Sequence, residues 1–210
     1  MKFHIYFSLC CLLLIVSLES CEKEALLAPG KQVVLSPEEL LGIQVNQDLV
    51  FQLVIVEPGE YTQSGWILDR KGNLRTYQIH DDFQWISNES EVVTEDHLAY
   101  LLDESKSSSF EVEAEIYLKK YYEVQRLNGS QISDIETGQS DSRQTAIYAY
   151  RATEAEATVE GCGGEYDGEG ANRNFEKILI ALDGPEVVQN ESNAARSLKT
   201  WLTDLNEELH

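Results

Sequence analysis

Positive charge is scarce in this sequence: 16 lysines and arginines stand against 37 aspartates and glutamates, which gives a formal net charge of −21. A surface this acidic repels the phosphates of nucleic acids and the anionic headgroups of lipids. We therefore expect no nucleic-acid partner and no basic patch that could hold the chain on a membrane. The acidity favours cations or basic partners, or it serves only to keep the protein soluble.

Catalytic motifs and histidines are also sparse. The sequence has no G-x-S-x-G, no H-E-x-x-H and no glycine-rich phosphate loop. Within the domain only His80 and His97 could act as a base, and nothing in the sequence places a serine beside either. His80 is followed by Asp81 and Asp82, but consecutive strand residues point to opposite faces and rarely bind one ion. We expect His97 on the surface of a helix.

Long hydrophobic runs are confined to the N-terminus. Lys2 precedes an apolar run from Ile5 to Leu18. This run is shorter than the roughly 18 residues that a transmembrane helix needs, and it fits the apolar region of a secretory signal peptide. Cys21 stands where the run gives way to charged residues.

The tetrad Leu18-Glu19-Ser20-Cys21 resembles the lipobox of bacterial lipoproteins, in which an aliphatic, a variable and a small residue precede a cysteine. In that family the thiol is alkylated by diacylglycerol, a dedicated peptidase cuts before the cysteine, and the new amino group is usually acylated. The resemblance implies a signal peptide over residues 1–20 and a membrane anchor through lipid on Cys21. The alternative is an ordinary cysteine after an ordinary signal peptide, or near a short membrane anchor.

The residues behind Cys21 bear on its destination. The second position of the cleaved chain is Glu22, not the aspartate that often retains such lipoproteins in the inner membrane. Lys23-Glu24 resembles the short signal of surface-exposed lipoproteins of Bacteroidetes-type bacteria. The stretch NESNAARSLKTWL near the C-terminus also resembles uncharacterised lipoproteins of that type, which implies no activity. We expect the outer membrane, at its periplasmic face or at the cell surface.

Cysteine is too rare for a disulfide scaffold or a cysteine-rich zinc site. Cys10 and Cys11 leave with the signal peptide, so Cys162 is the one thiol that remains beside a lipidated Cys21. Acidic neighbours raise the pKa of the Cys162 thiol and so disfavour a nucleophilic role. We expect Cys162 to be a small residue in a tight glycine-rich turn.

One acidic loop has the spacing of a calcium site. Its carboxylates occupy positions 1, 3, 5 and 12 of an EF-hand loop, the oxygen-ligand pattern that wraps Ca²⁺. These candidate calcium ligands are Glu165, Asp167, Glu169 and Glu176. The glycines before the loop and the strand after it do not fit an EF-hand. Arg173, at position 9, could neutralise the same carboxylates, so a solvated acidic loop without any cofactor is the other expectation.

Hydrophobic periodicity predicts an α+β fold in a single domain over residues 36–210, joined by a tether over residues 21–35. Strands are expected at 49–56, 65–69, 74–80, 145–152 and 177–182, and a loop at 128–144. Helices are expected after Ser36 and Thr94, over 110–127, and from Ser192 to the C-terminus. We predict an antiparallel sheet with helices packed on one face and a long C-terminal helix.

These patterns favour a membrane-tethered lipoprotein whose domain is a non-enzymatic binding or envelope-structural module. Its partner would be a protein or a glycan of the cell envelope. The alternative is a cell-envelope hydrolase whose site is assembled from scattered aspartate, glutamate and histidine side chains.

Overall fold

The computed structural model describes residues 35–59, 62–80, 86–137, 143–153 and 173–209, which belong to one compact unit, Leu35–His210. Cys21 and its lipobox, the predicted tether, Cys162 and the candidate calcium ligands Glu165, Asp167 and Glu169 lie outside the described residues.

The described part of the chain forms four helices and nine strands. The helices are α1 (Pro37–Leu41), α2 (Glu95–Glu104), α3 (Ala114–Val124) and α4 (Asn193–Glu208). The first five strands are β1 (Leu49–Val56), β2 (Thr62–Asp69), β3 (Asn73–His80), β4 (Glu91–Thr94) and β5 (Lys106–Glu111). The remaining strands are β6 (Ile132–Thr137), β7 (Gln144–Ala152), β8 (Asn174–Asp183) and β9 (Glu186–Asn190).

Local sequence signals set several boundaries. Ser36 caps α1 in a capping box with Glu39, and Pro37 takes the first helical turn, where it needs no backbone donor. Gly72 has a φ of 82° in the turn between β2 and β3, a conformation that residues with a Cβ rarely adopt. The Asp69 carboxylate closes this turn by accepting the Lys71 backbone N–H at 2.8 Å. The strands expected at 65–69 and 74–80 and the helix expected after Ser36 are confirmed, whereas Thr94 precedes its helix without a side-chain capping hydrogen bond.

The strands form one antiparallel sheet in the order β5-β3-β2-β1-β7-β8-β9-β6. Strand β8 has a third partner besides β7 and β9, since β4 pairs with its first four residues, from Asn174 to Lys177, while β9 pairs further along at Ala181 and Leu182. The short β4 therefore lies beside one end of a long buried strand, and it places Glu91 directly across from Lys177.

Both faces of the central strands are buried. Successive strand residues point to opposite faces, and they divide between two apolar clusters. The first cluster contains, with others, Phe51, Leu53, Trp66, Leu68, Ile147, Ile178 and Ile180, together with residues of α3 and α4. The second contains, with others, Val54, Ile67, Tyr77, Tyr148, Tyr150 and Leu179, together with Leu98 and Leu101 of α2.

The predicted α+β class, antiparallel sheet and C-terminal helix are confirmed. Helices α3 and α4 cover one face together, as expected, whereas Leu98 and Leu101 of α2 join the cluster on the other face. The second face needs its own cover because the central strands are apolar on both sides. None of the helices described is long and apolar enough to cross a membrane.

Four of the strands were not predicted from the sequence, and the predictions for two segments were wrong. Residues 106–111 form β5, so the helix expected over 110–127 begins only at Ala114. Residues 132–137, expected in a loop, form β6 and pair with β9. Strands β5 and β6 lie at the ends of the sheet, and their sequences KSSSFE and ISDIET lack the alternation of apolar residues. Strands β4 and β9 are too short to show a period.

We expect Leu205→Ala to lower the free energy of unfolding by about 2–5 kcal/mol, the range for deleting a buried leucine side chain. Leu205 is 5 % exposed and packs in the first cluster, on the apolar stripe of α4. Urea denaturation measures the change. Leu209→Ala is the matched control, because Leu209 is only half-buried at the end of the same helix and should cost less. Equal losses in the two variants would show that α4 does not seal the core.

Candidate functional site

The candidate residues identified in the sequence lie in different parts of the structure. His80 lies at the exposed end of β3, where its Nδ1 is 2.7 Å from the Thr62 hydroxyl. His97 lies in the first turn of α2 on the opposite side of the sheet from α3 and α4, and it is half-buried. The two histidines therefore belong to different local networks.

Glu176, the described member of the candidate calcium ligands, is held by Arg151. The Arg151 Nε donates to Glu176 Oε2 at 3.2 Å, and the two side chains form an ion pair. The Arg151 Nη1 also donates to the carbonyl of Leu127 at 2.9 Å, just beyond α3. Arg173, expected to balance the acidic loop, has an exposed side chain. A calcium ion could take Glu176 as a ligand only in competition with Arg151. The described residues contain no group of three or more possible metal ligands.

A buried lysine is the most unusual charged group on the sheet. Lys177 is 1 % exposed, and its Nζ donates to Glu91 Oε1 at 2.6 Å. The Glu91 side chain is 43 % exposed, so the ion pair reaches from the core to the surface. The same ammonium lies 4.3 Å from the centroid of the Tyr148 ring, within the range of a cation–π interaction. Burial lowers the pKa of Lys177, and the bond to Glu91 opposes that shift.

His97 completes what we call the Lys177 cluster: Lys177, Glu91, Tyr148 and His97. Burial and, next in size, the positive charge of Lys177 lower the pKa of His97 from 6.5 to about 4, while Glu91 opposes the shift. The imidazole is therefore neutral at neutral pH. Because β4 runs directly into α2, Glu91 and His97 approach Lys177 from one continuous stretch of chain.

Tyr148 links this cluster to the loop before β4. Its hydroxyl accepts the Ser87 N–H at 2.8 Å and donates to the Ser87 carbonyl at 2.7 Å. Burial raises the pKa of Tyr148 well above its usual value, so the hydroxyl keeps its proton and both bonds persist. The Tyr148 side chain of β7 thus contacts the Lys177 ammonium with the face of its ring and fixes the 86–88 loop through its hydroxyl group.

A second buried polar group lies deeper on the same face of the sheet. The Tyr77 hydroxyl accepts from Gln52 Nε2 at 2.9 Å and donates to the Leu53 carbonyl at 3.1 Å. The Tyr150 hydroxyl donates to Gln52 Oε1. The hydrogen bonds of the Tyr77 hydroxyl require a glycine at position 65, since a Cβ on Gly65 would lie 3.0 Å from that hydroxyl and closer still to the Leu53 carbonyl. These bonds are satisfied within the protein and hold β1, β3 and β7 together.

An open cleft of about 490 Å³ adjoins the loop that Tyr148 fixes. Its lining residues come from that loop, from the start of β7 and from the β8–β9 turn: Ile86, Ser87, Asn88, Gln144, Leu182, Pro185 and Glu186. Asn88 Nδ2 donates to Glu186 Oε2 at 3.4 Å across the cleft. The lining offers a carboxylate, two side-chain amides and a hydroxyl above a small apolar floor. Such a surface can orient a polar ligand through hydrogen bonds, and we take it as the candidate binding site.

Sequence reasoning singled out none of the cleft residues. They come from segments far apart in the chain, and only the β7–β8 pairing brings Gln144 close to the β8–β9 turn. The burial of Lys177 could have been inferred from the sequence, because this residue begins the apolar run KILIAL of a predicted buried strand. A lysine in such a run needs an anionic partner. The short β4 that supplies Glu91 was not predictable from its four residues.

We expect Tyr148→Phe to destabilise the protein by about 1–3 kcal/mol, since both backbone groups of Ser87 lose their partner while the ring contact with Lys177 remains. Tyr122→Phe is the matched control, because Tyr122 is half-buried on α3 on the other side of the sheet. Chemical denaturation of both variants measures the difference. If the two variants are equally stable, Tyr148 does not hold the 86–88 loop.

Comparison of this chain with protein-family models, with curated proteins and with solved structures finds no match.

Proposed function

We propose that this protein is a lipid-anchored lipoprotein of the bacterial outer membrane whose domain acts as a non-enzymatic binding or structural module of the envelope. The observation that carries the anchor is the sequence Leu18-Glu19-Ser20-Cys21 after a short apolar run. Each buried methylene of an acyl chain contributes about 0.8 kcal/mol, and two or more chains give stable anchoring. With a net charge of −21, the protein needs such an anchor, because its surface is repelled by anionic headgroups.

The position of the domain in the chain also supports the proposal. Residues 22–35 separate Cys21 from the capping residue of α1, and fourteen residues can span at most about 50 Å. A tether of this reach lets the domain contact envelope components near the membrane surface. The tether contains Pro29-Gly30, which disfavours a continuous helix.

The cleft supports the binding role. The carboxylate and the amides of the cleft lie on the loop that Tyr148 fixes and at the first residues of strands that pack on the core. Binding a ligand therefore requires little further ordering of the protein. A protein or glycan of the envelope presents the hydroxyl and amide groups that such a lining can bind. Glu186 is the charged group of the cleft and the one whose removal should be felt most.

Labelled palmitate should be incorporated into the protein when it is expressed in a diderm bacterium, and the product should partition into detergent. Cys21→Ser should lose both properties, because the thiol is the acceptor of the lipid. Cys162→Ser is the matched control and should retain both. A wild-type protein that is exported and stays in the aqueous phase would contradict the anchor.

Co-purification from intact cells tests the binding role. We expect the wild-type protein to recover an envelope component, and we expect Glu186→Gln to reduce that recovery roughly tenfold, as for a lost hydrogen bond to a charged group. Glu208→Gln, which removes an exposed carboxylate near the end of α4, should recover as much as wild type. Equal recovery by all three proteins would remove the cleft from the proposal and leave the anchor untouched.

A further inference from the structure

The stretch from Ile86 to Glu104, which we call the clasp, contains the 86–88 loop, β4 and α2. Three kinds of contact hold it to the sheet. Strand β4 pairs with β8, the Ser87 backbone bonds to Tyr148, and Leu98 and Leu101 pack in the second cluster. The ion pair between Glu91 and Lys177 joins the paired strands β4 and β8.

Each element that packs around Lys177 presents a titratable group. Strand β4 presents Glu91, α2 presents His97, and β7 presents Tyr148 together with Tyr150 behind it. Tyr77 of β3 lies next to Tyr150. Burial raises the pKa of all three tyrosines above the usual value, so these hydroxyls stay neutral at neutral and acid pH. The three tyrosines therefore gain no charge in acid, whereas His97 does.

We propose that the clasp is an acid-sensitive latch: protonation of the His97 imidazole beside Lys177 releases residues 86–104 from β8 while the rest of the sheet stays folded. At neutral pH the buried ammonium of Lys177 and its partner Glu91 lie beside a neutral imidazole. In acid the ammonium faces a second cation. Two like charges beside a buried aromatic ring repel each other in a medium that screens them poorly, and a single carboxylate cannot compensate both of them.

The sign of the pH effect follows from His97. Its folded-state pKa is lowered from 6.5 to about 4, so the released clasp binds a proton more readily than the docked clasp. The docked state is therefore fully favoured above about pH 6.5 and loses stability as the pH falls from there towards 4. The clasp also forms the 86–88 wall of the cleft, so its release would deform the cleft. That last consequence rests on the proposed binding role, whereas the release itself does not.

Hydrogen–deuterium exchange of the full chain, followed by mass spectrometry at about pH 7 and about pH 4 and corrected for intrinsic exchange rates, tests the latch. We expect protection of residues 86–104 to fall by roughly tenfold or more in acid, because one carboxylate then faces two cations. Strand β7 (Gln144–Ala152) should keep its protection. If the clasp and β7 lose protection together, or if neither does, there is no latch.

Two variants separate the latch from general acid unfolding. Glu91→Gln removes the charge that compensates Lys177 and should loosen the clasp already at pH 7. Glu89→Gln removes an exposed carboxylate two residues before Glu91 on the same stretch and should behave as wild type. His97→Gln should keep part of the protection that wild type loses in acid, and this variant decides the question if Glu91→Gln does not fold. A clasp that exchanges in His97→Gln and in Glu91→Gln as it does in wild type at both pH values would overturn the proposal.

Discussion

The central strands of this protein are buried on both faces, and this constraint governs every polar group that they carry. Strands β1, β7 and β8 alternate between two apolar clusters, so no side chain on them points into open solvent along most of their length. A polar group in such a place costs free energy unless it finds a partner. Gln52, Tyr148, Tyr150 and Lys177 all find one, and their partners lie on other strands of the sheet or on the 86–88 loop.

Lys177 illustrates the consequence of burying the central strands on both faces. Its ammonium needs a carboxylate, and the carboxylate comes from β4, a strand of four residues that has no apolar pattern to place it. Once β4 is docked, the chain continues into α2 and covers the second face of the sheet with Leu98 and Leu101. Tyr148 extends the same arrangement to the 86–88 loop and so to the cleft. A single buried charge is thereby connected to the candidate cleft.

Much of the fold could be predicted from the sequence where local signals are strong. The β-branched run of β1, the two strands on either side of Gly72 and the helix that Ser192 caps each depend on neighbouring residues, and each lies where it was expected. Edge strands such as β5, with its run of three serines, have no apolar period, and they exist because an ordered neighbour offers hydrogen bonds. The cleft and the Lys177 cluster depend on contacts between residues far apart in the chain. The anchor on Cys21 remains a prediction from sequence, as does any ion bound by Glu165, Asp167, Glu169 and Glu176.

The ion pair between Lys177 and Glu91 can be tested most directly by a double-mutant cycle. Glu91→Gln, Lys177→Met and the double variant are compared with wild type by chemical denaturation at neutral pH. If Glu91 compensates the buried ammonium, the double variant is more stable than Glu91→Gln alone, and the coupling between the two positions is about 1–3 kcal/mol. Two changes that simply add, with the double variant no more stable than Glu91→Gln, would show that the carboxylate does not hold the lysine, and the account of the clasp would fail.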